Sequence, residues 1–229
     1  MSASTLNAGS PLMIELFAGS ARMAQTFREA GFETFTVDIE ELSRDPERQI
    51  DLIADVLTLK AEDLPPNPHV VWASPPCTYY SFARHLCGAE PAFAPGGKPL
   101  TQEAHDANRL VQHTLHLIEQ LDPTYWFMEN PEGYLAMQPF MKFYSKRRVS
   151  YCQYDEQWKK PTDIWGQHPI HWHPKAHCSH VNHPNFATSF GRAPKEDRAL
   201  LPQLLCDEIV KAVVDSKGAY VVEDLRAWL

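Results

Sequence analysis

A cysteine stands directly behind two consecutive prolines, at the end of an apolar run. Residues 69–73 form this run and predict a buried strand that stops at Ser74. Pro75 and Pro76 then exclude both a ladder hydrogen bond and a helix, so the backbone is rigid in front of Cys77. We expect the Cys77 sulfur at the carboxyl edge of a sheet, where open α/β folds bind ligands and a thiolate acts as a nucleophile. A cysteine that merely packs behind a turn is the alternative.

A carboxylate takes the same position behind a second apolar run. Residues 125–128 predict a strand that leads straight into Glu129, Asn130 and Pro131. Glu129 is therefore expected to be poorly solvated, to hold a proton and to donate a hydrogen bond. A glutamate that caps a helix beginning near Glu132 is the alternative. If the two strands are neighbours, a nucleophile and a proton donor lie around one cavity.

The N-terminal part of the chain has the order strand, glycine turn, helix, strand and acid. Residues 12–17 predict the first strand and residues 18–20 the turn, with Ser20 as the cap of a helix that runs to Ala30. Gly31 follows this helix as its stop, and residues 32–37 predict the second strand.

Asp38 follows the second strand, 19 residues after Gly19. This spacing suits a loop that lets a ligand approach the backbone and a carboxylate that accepts two ribose hydroxyls. Only one glycine is present, so the pattern favours a ligand that lacks a pyrophosphate. Residues 50–56 predict a third short strand that ends in Asp55, which is either a ligand contact or a solvated loop acid.

Further elements surround these positions. A loop over residues 82–99 is long enough to serve as a lid over the candidate nucleophile. Residues 101–121 give the clearest helical pattern, and its histidines are expected to be surface or core residues rather than ligands. Residues 202–217 predict a last amphipathic helix with Leu204 and three other aliphatic residues facing inward and Gly218 as its stop.

The composition limits the classes of function. The chain has 229 residues, a net charge of −8 and five cysteines without regular spacing. These values indicate one globular domain, or one with a small annex, in a reducing compartment, and they argue against indiscriminate binding of nucleic acid. Residues 1–11 do not resemble a signal peptide, and no apolar run approaches the length of a membrane span.

A basic segment interleaved with aromatic residues lies at 142–160. Such a segment can follow phosphates and stack on bases, or it can be a strand with one solvated face. Six histidines and Cys178 then crowd residues 168–183. They could hold Zn²⁺, but no C-x-x-C pair is present and a proline-rich surface loop is the favoured interpretation.

The chain resembles the DNA (cytosine-5) methyltransferase family over roughly residues 12–131. Leu16-Phe17-Ala18-Gly19-Ser20 looks like the family's first motif, Pro75-Pro76-Cys77 matches its Pro-Cys motif, and Glu129-Asn130 matches its Glu-Asn motif. Thr78 departs from the usual glutamine after the cysteine. The Gln-x-Arg-x-Arg motif survives only as Gln157-Trp158-Lys159 with Pro161 in the second arginine's place, and Lys cannot reproduce a bidentate Arg contact.

The resemblance implies a binding site for S-adenosylmethionine and a role for each matching residue. It assigns cofactor contacts to Phe17, Ala18, Gly19, Ser20, Asp38, Ile39, Asp55, Val56, Ser74 and Pro75. It assigns catalysis to Cys77 and Glu129, and substrate contacts to Pro76, Ser81, Asn130, Lys159 and Lys160. The family's long recognition region is nearly missing, which makes the chain similar to the small phage-borne members.

We therefore predict a doubly wound, mostly parallel α/β fold of the Rossmann-like type. The expected parts are a cofactor-binding and catalytic core (1–150), a short basic, His-rich recognition insert (151–199) and a C-terminal helix that closes the cofactor pocket (200–229). The expected reaction is methyl transfer to C5 of cytosine in DNA, and the choice between DNA and RNA as substrate stays open at this point. The resemblance implies a cytoplasmic monomer in a bacterial or phage-infected cell, without membrane or metal. An exocyclic amino-methyltransferase and an inactive binding protein are the alternatives.

Overall fold

The computed structural model describes residues 9–41, 48–82, 90–179 and 200–216. The strands are β1 (Leu12–Leu16), β2 (Glu33–Asp38), β3 (Leu52–Ile53), β4 (Val70–Ala73), β5 (Tyr125–Pro131), β6 (Lys146–Ser150) and β7 (Pro161–Gln167). The helices are α1 (Arg22–Glu29), α2 (Gln102–Leu121) and α3 (Gln203–Ser216). The strands form one sheet in the order β3-β2-β1-β4-β5-β7-β6. This is the doubly wound, mostly parallel sheet that the sequence predicted.

Strands β1 to β5 run parallel, while β7 pairs antiparallel with β5 and β6. The carboxyl ends of the parallel strands therefore meet at one edge, where Asp38, Ala73 and Pro131 lie. We call this the upper edge. Because β7 runs the other way, it begins at the upper edge with Pro161, which is paired with Ser150. Chain segments that follow β1, β2, β4 and β5 thus meet the segment that precedes β7.

Both faces of the sheet are covered, as the continuous burial of β1 and β4 requires. Helix α2 packs on one face, where Val111 and Leu115 meet Ile14 and Val71 in a common core. Helices α1 and α3 pack on the other face, around Trp72. Leu204, which the sequence placed inward on α3, is 41% exposed because the helix turns Leu205 and Ile209 toward the sheet instead.

Helix α1 begins without the cap that the sequence predicts. The N-cap residue is Ala21, not Ser20, its backbone is left-handed (φ 51°), and no side chain caps the helix locally. The backbone N–H of Ala24 donates instead to Oε2 of Glu15 at 2.7 Å. Glu15 lies in β1 and is 3% exposed, so a carboxyl group from the neighbouring strand satisfies a donor of the first helical turn.

The buried Glu15 makes the stability of the protein depend on pH. Burial raises its pKa to about 8, from an ordinary value of 4.5. Between these values the folded state binds more protons than the unfolded chain, so stability falls as the pH rises. We expect the free energy of unfolding to drop between about pH 5 and about pH 8, by on the order of a few kcal/mol from this group. Glu15→Gln keeps an acceptor for Ala24 and carries no proton to lose, so its drop should be smaller.

Urea unfolding of both proteins at the two pH values measures this difference. Glu29→Gln is the matched control, because Glu29 is an exposed carboxylate at the end of the same helix. This control should follow the wild type. Equal pH slopes for the wild type and Glu15→Gln would contradict the assignment.

The third strand is shorter than the predicted segment 50–56. It covers Leu52 and Ile53 only. The carboxylate of Asp55 accepts a hydrogen bond from the backbone N–H of Leu57 at 3.0 Å and so starts a short 3-10 helix, Val56–Thr58. The chain therefore leaves the sheet before Asp55, because a cap competes with the strand for the same backbone.

The predicted lid has an ordered base. Residues 83–89 lie outside the described residues, but Ala92 and Phe93 are buried and a small hairpin closes through an Ala94 N–H to Lys98 O bond of 2.8 Å. The sequence predicted a structureless loop as far as Pro99. It missed the burial of the Phe93 ring, which removes this half of the loop from solvent.

The segment predicted as a recognition insert, 151–199, begins inside the sheet. Its first residues lead into β7, which is an interior strand. The chain leaves β7 at the lower edge, the edge of the sheet opposite the upper edge. It then returns to the upper edge, where the backbone N–H of Cys178 donates to Ser150 Oγ at 3.1 Å. After residues 180–199, which lie outside the described residues, the carbonyl of Leu201 accepts a hydrogen bond from Arg22 at the start of α1.

Helix α3 follows Leu201 and packs along α1. Gly218, predicted as its stop, lies outside the described residues. None of the helices in the described parts of the chain is long and apolar enough to cross a membrane.

Candidate active site

The two segments singled out in the sequence emerge side by side from the upper edge. Strands β4 and β5 are parallel neighbours, with Ala73 opposite Met128. The buried side chain of Asn130 donates from Nδ2 to the carbonyl of Pro75 at 2.9 Å. This bond fixes the Pro75–Pro76 segment to the end of β5. The segment that carries Cys77 and the strand that carries Glu129 therefore lie side by side at the upper edge.

A tight turn presents the Cys77 side chain. The Cys77 carbonyl accepts hydrogen bonds from the backbone N–H groups of Tyr80 (3.1 Å) and Ser81 (3.0 Å). Pro75 is buried, Pro76 is exposed and Cys77 is half-buried. The thiol is thus on a fixed backbone and within reach of solvent, as a nucleophile requires.

Glu129 lies at the end of β5 and is 6% exposed. The hydroxyl of Tyr151 donates to its Oε1 at 2.9 Å, and Nζ of Lys160 lies 3.9 Å from the same oxygen. The Lys160 side chain is only 8% exposed, and its Nζ sits 4.4 Å from the centre of the Tyr151 ring. The described contacts of this carboxylate therefore all fall on Oε1.

Tyr151 remains a donor over the whole working range of pH. Burial, followed by the charge of Glu129, raises the pKa of its hydroxyl well above the ordinary value. The sequence placed Tyr151 in the basic, aromatic segment 142–160, and it contained no signal for a contact that spans 22 residues.

A second group of residues lies at the carboxyl ends of β1 and β2. Asp38 is 8% exposed, and its Oδ2 accepts a hydrogen bond from the backbone N–H of Gly19 at 2.8 Å. Its Oδ1 accepts another from the N–H of Ile39 at 2.7 Å. The acid thus holds the glycine turn against β2. The turn itself is tight, because both Phe17 (φ 59°) and Gly19 (φ 55°) are left-handed.

This group offers open space and apolar surface to a ligand. An added Cβ on Gly19 would meet no atom within 4 Å. Ile39 is 64% exposed. Ile53, the residue of β3 that pairs with Asp38, is 51% exposed. A carboxylate between exposed aliphatic side chains at the end of adjacent strands suits a nucleoside.

The remaining predicted site residues are placed as follows. Ala18 is buried and donates its N–H to Val37 O at 3.0 Å, and Ser20 is half-buried in the turn. Ser74 accepts a hydrogen bond from the Trp72 indole at 2.8 Å. Asp55 is exposed, whereas Val56 packs in the core at 2% exposure. Ser81 pairs with Gly133, and Lys159 is half-buried beside Lys160.

Much of the basic, aromatic segment is turned inward. The buried carboxylate of Asp163 in β7 binds Arg148 through two bonds (2.6 and 2.9 Å) and Lys146 at 3.1 Å. Tyr151 and Tyr154 are buried in the core. A buried carboxylate needs such countercharges, so these cations neutralise Asp163, although Arg148 and Lys146 each keep about a third of their side-chain surface exposed.

The His-rich segment is anchored to the sheet in its described part. Nδ1 of His177 lies 2.7 Å from Ser150 Oγ, and His168 is buried between Phe127 and Trp172, where burial lowers its pKa to about 3. Within the described ranges, no three His, Cys, Asp or Glu side chains are grouped as metal ligands. His180 and His183 lie outside these ranges.

Comparisons with known proteins identify the family of the chain. A family model described as C-5 cytosine-specific DNA methylase matches residues 12–143, which is more than half of the chain. The chain is also similar to the probable DNA (cytosine-5)-methyltransferase of Frog virus 3 (isolate Goorha). The identity is 28% over 160 residues, which cover 67% of this chain and 69% of the viral protein.

Two solved structures are similar at lower identity. The S. pombe Dnmt2 methyltransferase has 13% identity and a TM-score of 0.45, over 68% of this chain and 48% of that one. The Entamoeba histolytica methyltransferase EhMeth has 14% identity and a TM-score of 0.47, over 69% of this chain and 52% of that one. The chain thus spans about half the length of these two proteins.

Proposed function

The chain belongs to the C-5 cytosine-specific DNA methylase family, and on this premise we propose that it methylates C5 of cytosine in DNA. The observation that carries the proposal is the Asn130–Pro75 bond, which joins the Cys77 turn to the strand that bears Glu129. Methylation of C5 uses both a cysteine and a carboxyl group, whereas an exocyclic amino-methyltransferase needs neither a covalent cysteine nor this carboxyl group.

Cys77, Glu129 and Lys160 would together activate the cytosine ring for methylation. The target cytosine has to leave the duplex stack, because its C5 and C6 are out of reach inside it. The Cys77 thiolate then adds to C6, forming a C6–S bond and moving the electrons of the C5–C6 double bond toward C5 and N3. Glu129 holds N3 through the oxygen that Tyr151 does not occupy. Lys160, close to Oε1, stabilises negative charge that develops on the ring.

The reaction closes when the modified ring returns to aromaticity. The electron pair at C5 would first form the bond to the electrophilic methyl group, as the bond between that methyl group and its donor breaks. A base then removes the proton from C5, the electrons of that bond restore the C5–C6 double bond, and the C6–S bond breaks to release the Cys77 thiolate. Pro76 and Ser81, on either side of the Cys77 turn, and Lys159, next to Lys160, would contact the flipped nucleotide and its phosphates.

The residues at the ends of β1 and β2 fit S-adenosylmethionine, which supplies an electrophilic methyl group when bound. Asp38 would accept the ribose hydroxyls, Ile39 would cover the adenine, and Asp55 would contact the cofactor at the adenine side. The open space above Gly19 suits the methionine part, with Phe17, Ala18 and Ser20 forming the turn around it. Ser74 and Pro75 lie between this group and Cys77.

Asp38→Ala should abolish measurable binding of S-adenosylmethionine in calorimetry. The variant loses the ribose acceptors and also releases the N–H groups of Gly19 and Ile39, so the turn is no longer held. Circular dichroism establishes that the fold is retained. Asp106→Ala, which removes a half-buried acid of α2 whose partners are Gln102 and Arg109, should bind as the wild type does. Unchanged affinity in Asp38→Ala would remove this residue from the site.

Sequencing of bisulfite-treated DNA from cells that express the protein tests the proposed activity. We expect protected cytosines in the presence of the wild type and none with Cys77→Ser. The alternative activities give different results in the same samples. Mass spectrometry of the nucleosides would show an N-methylated base for an exocyclic amino-methyltransferase, and no methylated base for an inactive binding protein. The same analysis of RNA measures whether it is also a substrate.

A further inference from the structure

A buried chain of hydrogen-bonded side chains connects the surroundings of Cys77 and Glu129 on the α2 face. The Tyr80 hydroxyl donates to Asn108 Oδ1 at 2.8 Å, and Asn108 Nδ2 donates to Gln138 Oε1 at 2.9 Å. Gln138 Nε2 then donates to the carbonyls of Gly97 (2.9 Å) and Tyr134 (2.8 Å). The side chains of this network come from three residues that are at most 9% exposed.

The same segments are also joined through their backbones. Tyr134 N–H donates to Tyr80 O at 2.9 Å, and Ser81 pairs with Gly133. A Cβ on Gly133 would lie 2.1 Å from Tyr80 O, so this approach admits only glycine. The Phe93 ring stacks on both Tyr80 and Tyr134, with centroid distances of 5.3 and 5.4 Å.

The network therefore spans four separate pieces of the chain. Tyr80 belongs to the turn whose N–H groups bind the Cys77 carbonyl, and Gln138 belongs to the segment that continues from Glu129. Asn108 comes from the first half of α2, and Gly97 from the ordered base of the loop 82–99. A buried polar network that is fully satisfied fixes one geometry, whereas apolar side chains of equal volume would allow several.

We infer that Tyr80, Asn108 and Gln138 are positioning residues that set the Cys77 turn at a fixed distance from the Glu129 strand. None of them touches the substrate, so they act through the two backbones that they hold. This role rests on the proposed function, since both groups must reach one cytosine ring at the same time. Small displacements of reacting groups are sufficient to slow an enzyme strongly.

Three variants test this role in single-turnover methyl transfer. Tyr80→Phe removes only the hydroxyl and keeps the stack with Phe93. We expect a rate about tenfold lower, with cofactor affinity unchanged. Gln138→Met removes the centre of the network and should be slower still. The double variant should be no slower than Gln138→Met alone, because the network acts as one unit.

Thr114→Val is the matched control. Thr114 is a fully buried residue of α2 whose hydroxyl donates to Leu110 O at 2.8 Å, away from both turns. Its midpoint of thermal unfolding should fall about as much as that of Tyr80→Phe, while its rate stays within about twofold of the wild type. If Tyr80→Phe keeps the rate of this control, or if the two network variants add independently, the inference is wrong.

Hydrogen exchange separates failure of this inference from failure of the proposed function. In Tyr80→Phe and Gln138→Met, the amides of Tyr80, Ser81 and Tyr134 should exchange faster than in the wild type and in Thr114→Val. This measurement does not require activity. Unchanged exchange in an active enzyme would overturn the positioning role alone. Faster exchange in a protein that does not methylate cytosine would overturn the proposed function and keep the network.

Discussion

Cys77→Ser should lose methyl transfer to cytosine by on the order of 10³-fold or more, while it keeps its fold and its affinity for S-adenosylmethionine. A serine hydroxyl is far less nucleophilic near neutral pH than a partly ionised thiol, and Cys77 is the only thiol among the described residues 74–82 of this turn. The cofactor side of the site, at Asp38 and Gly19, is built from β1 and β2 and does not depend on the sulfur.

DNA that carries 5-fluorocytosine makes the covalent step visible. Fluorine cannot leave C5 as a cation, so the C6–S bond formed by Cys77 has no route to break after methyl transfer. The wild type should therefore accumulate an adduct that survives denaturing electrophoresis, and efficient accumulation should require S-adenosylmethionine. Cys77→Ser should give no adduct.

Cys152→Ser is the matched control for this experiment, because Cys152 is also half-buried and lies near Tyr151. Burial raises the pKa of its thiol, so it is a poor nucleophile, and its replacement should leave the adduct intact. The covalent mechanism would be contradicted by an active enzyme that forms no adduct, or by an enzyme that stays active with Cys77→Ala. Methylation of an exocyclic nitrogen would then be the better explanation.

Glu129→Gln should slow formation of the adduct by about 10²- to 10³-fold and leave cofactor binding unchanged. The amide can still accept from the Tyr151 hydroxyl, so the side chain keeps its place. It can no longer exchange a proton with N3 or balance the charge of Lys160, so the negative charge that develops on the ring loses its main stabilisation.

Glu132→Gln provides the control in the same segment. Glu132 is half-exposed and pairs with Arg148, so the change removes a carboxylate three residues away without touching the base. Its rate of adduct formation should remain close to that of the wild type. Equal losses in the two variants would mean that local charge, and not contact with cytosine, explains the effect of Glu129.

Local patterns in the sequence were sufficient for most of the elements around the site. Helix α2 covers the predicted segment 101–121 almost completely, with the Thr101 side chain as its cap and Val111 and Ile118 on its buried face. Strands β4 and β5 are continuous apolar runs, and they lie next to each other as the hypothesis of a shared cavity required. The helix and the strands themselves depend on residues only a few positions apart, which a sequence displays directly.

Contacts between distant segments could not be predicted in this way. The Asn130–Pro75 bond joins residues 55 positions apart, and the side-chain bonds of the Tyr80 network join residues about 30 apart. Asn108 carries no local sign of a partner on another segment. The inward turn of Arg148 follows from the register that sets Asp163 opposite it in β7. A charge pattern alone suggested a surface for phosphates.

The return of the chain to the upper edge has a consequence for engineering. Residues 180–199 are attached at one end through Cys178, which is bonded to Ser150, and at the other through Leu201, which is bonded to Arg22. Both anchors belong to the rim that carries the chemistry. The entropy of closing a loop grows only slowly with its length. We therefore expect that a DNA-recognition segment from another protein can replace residues 180–199, while the seven strands, Cys77 and Glu129 remain unchanged.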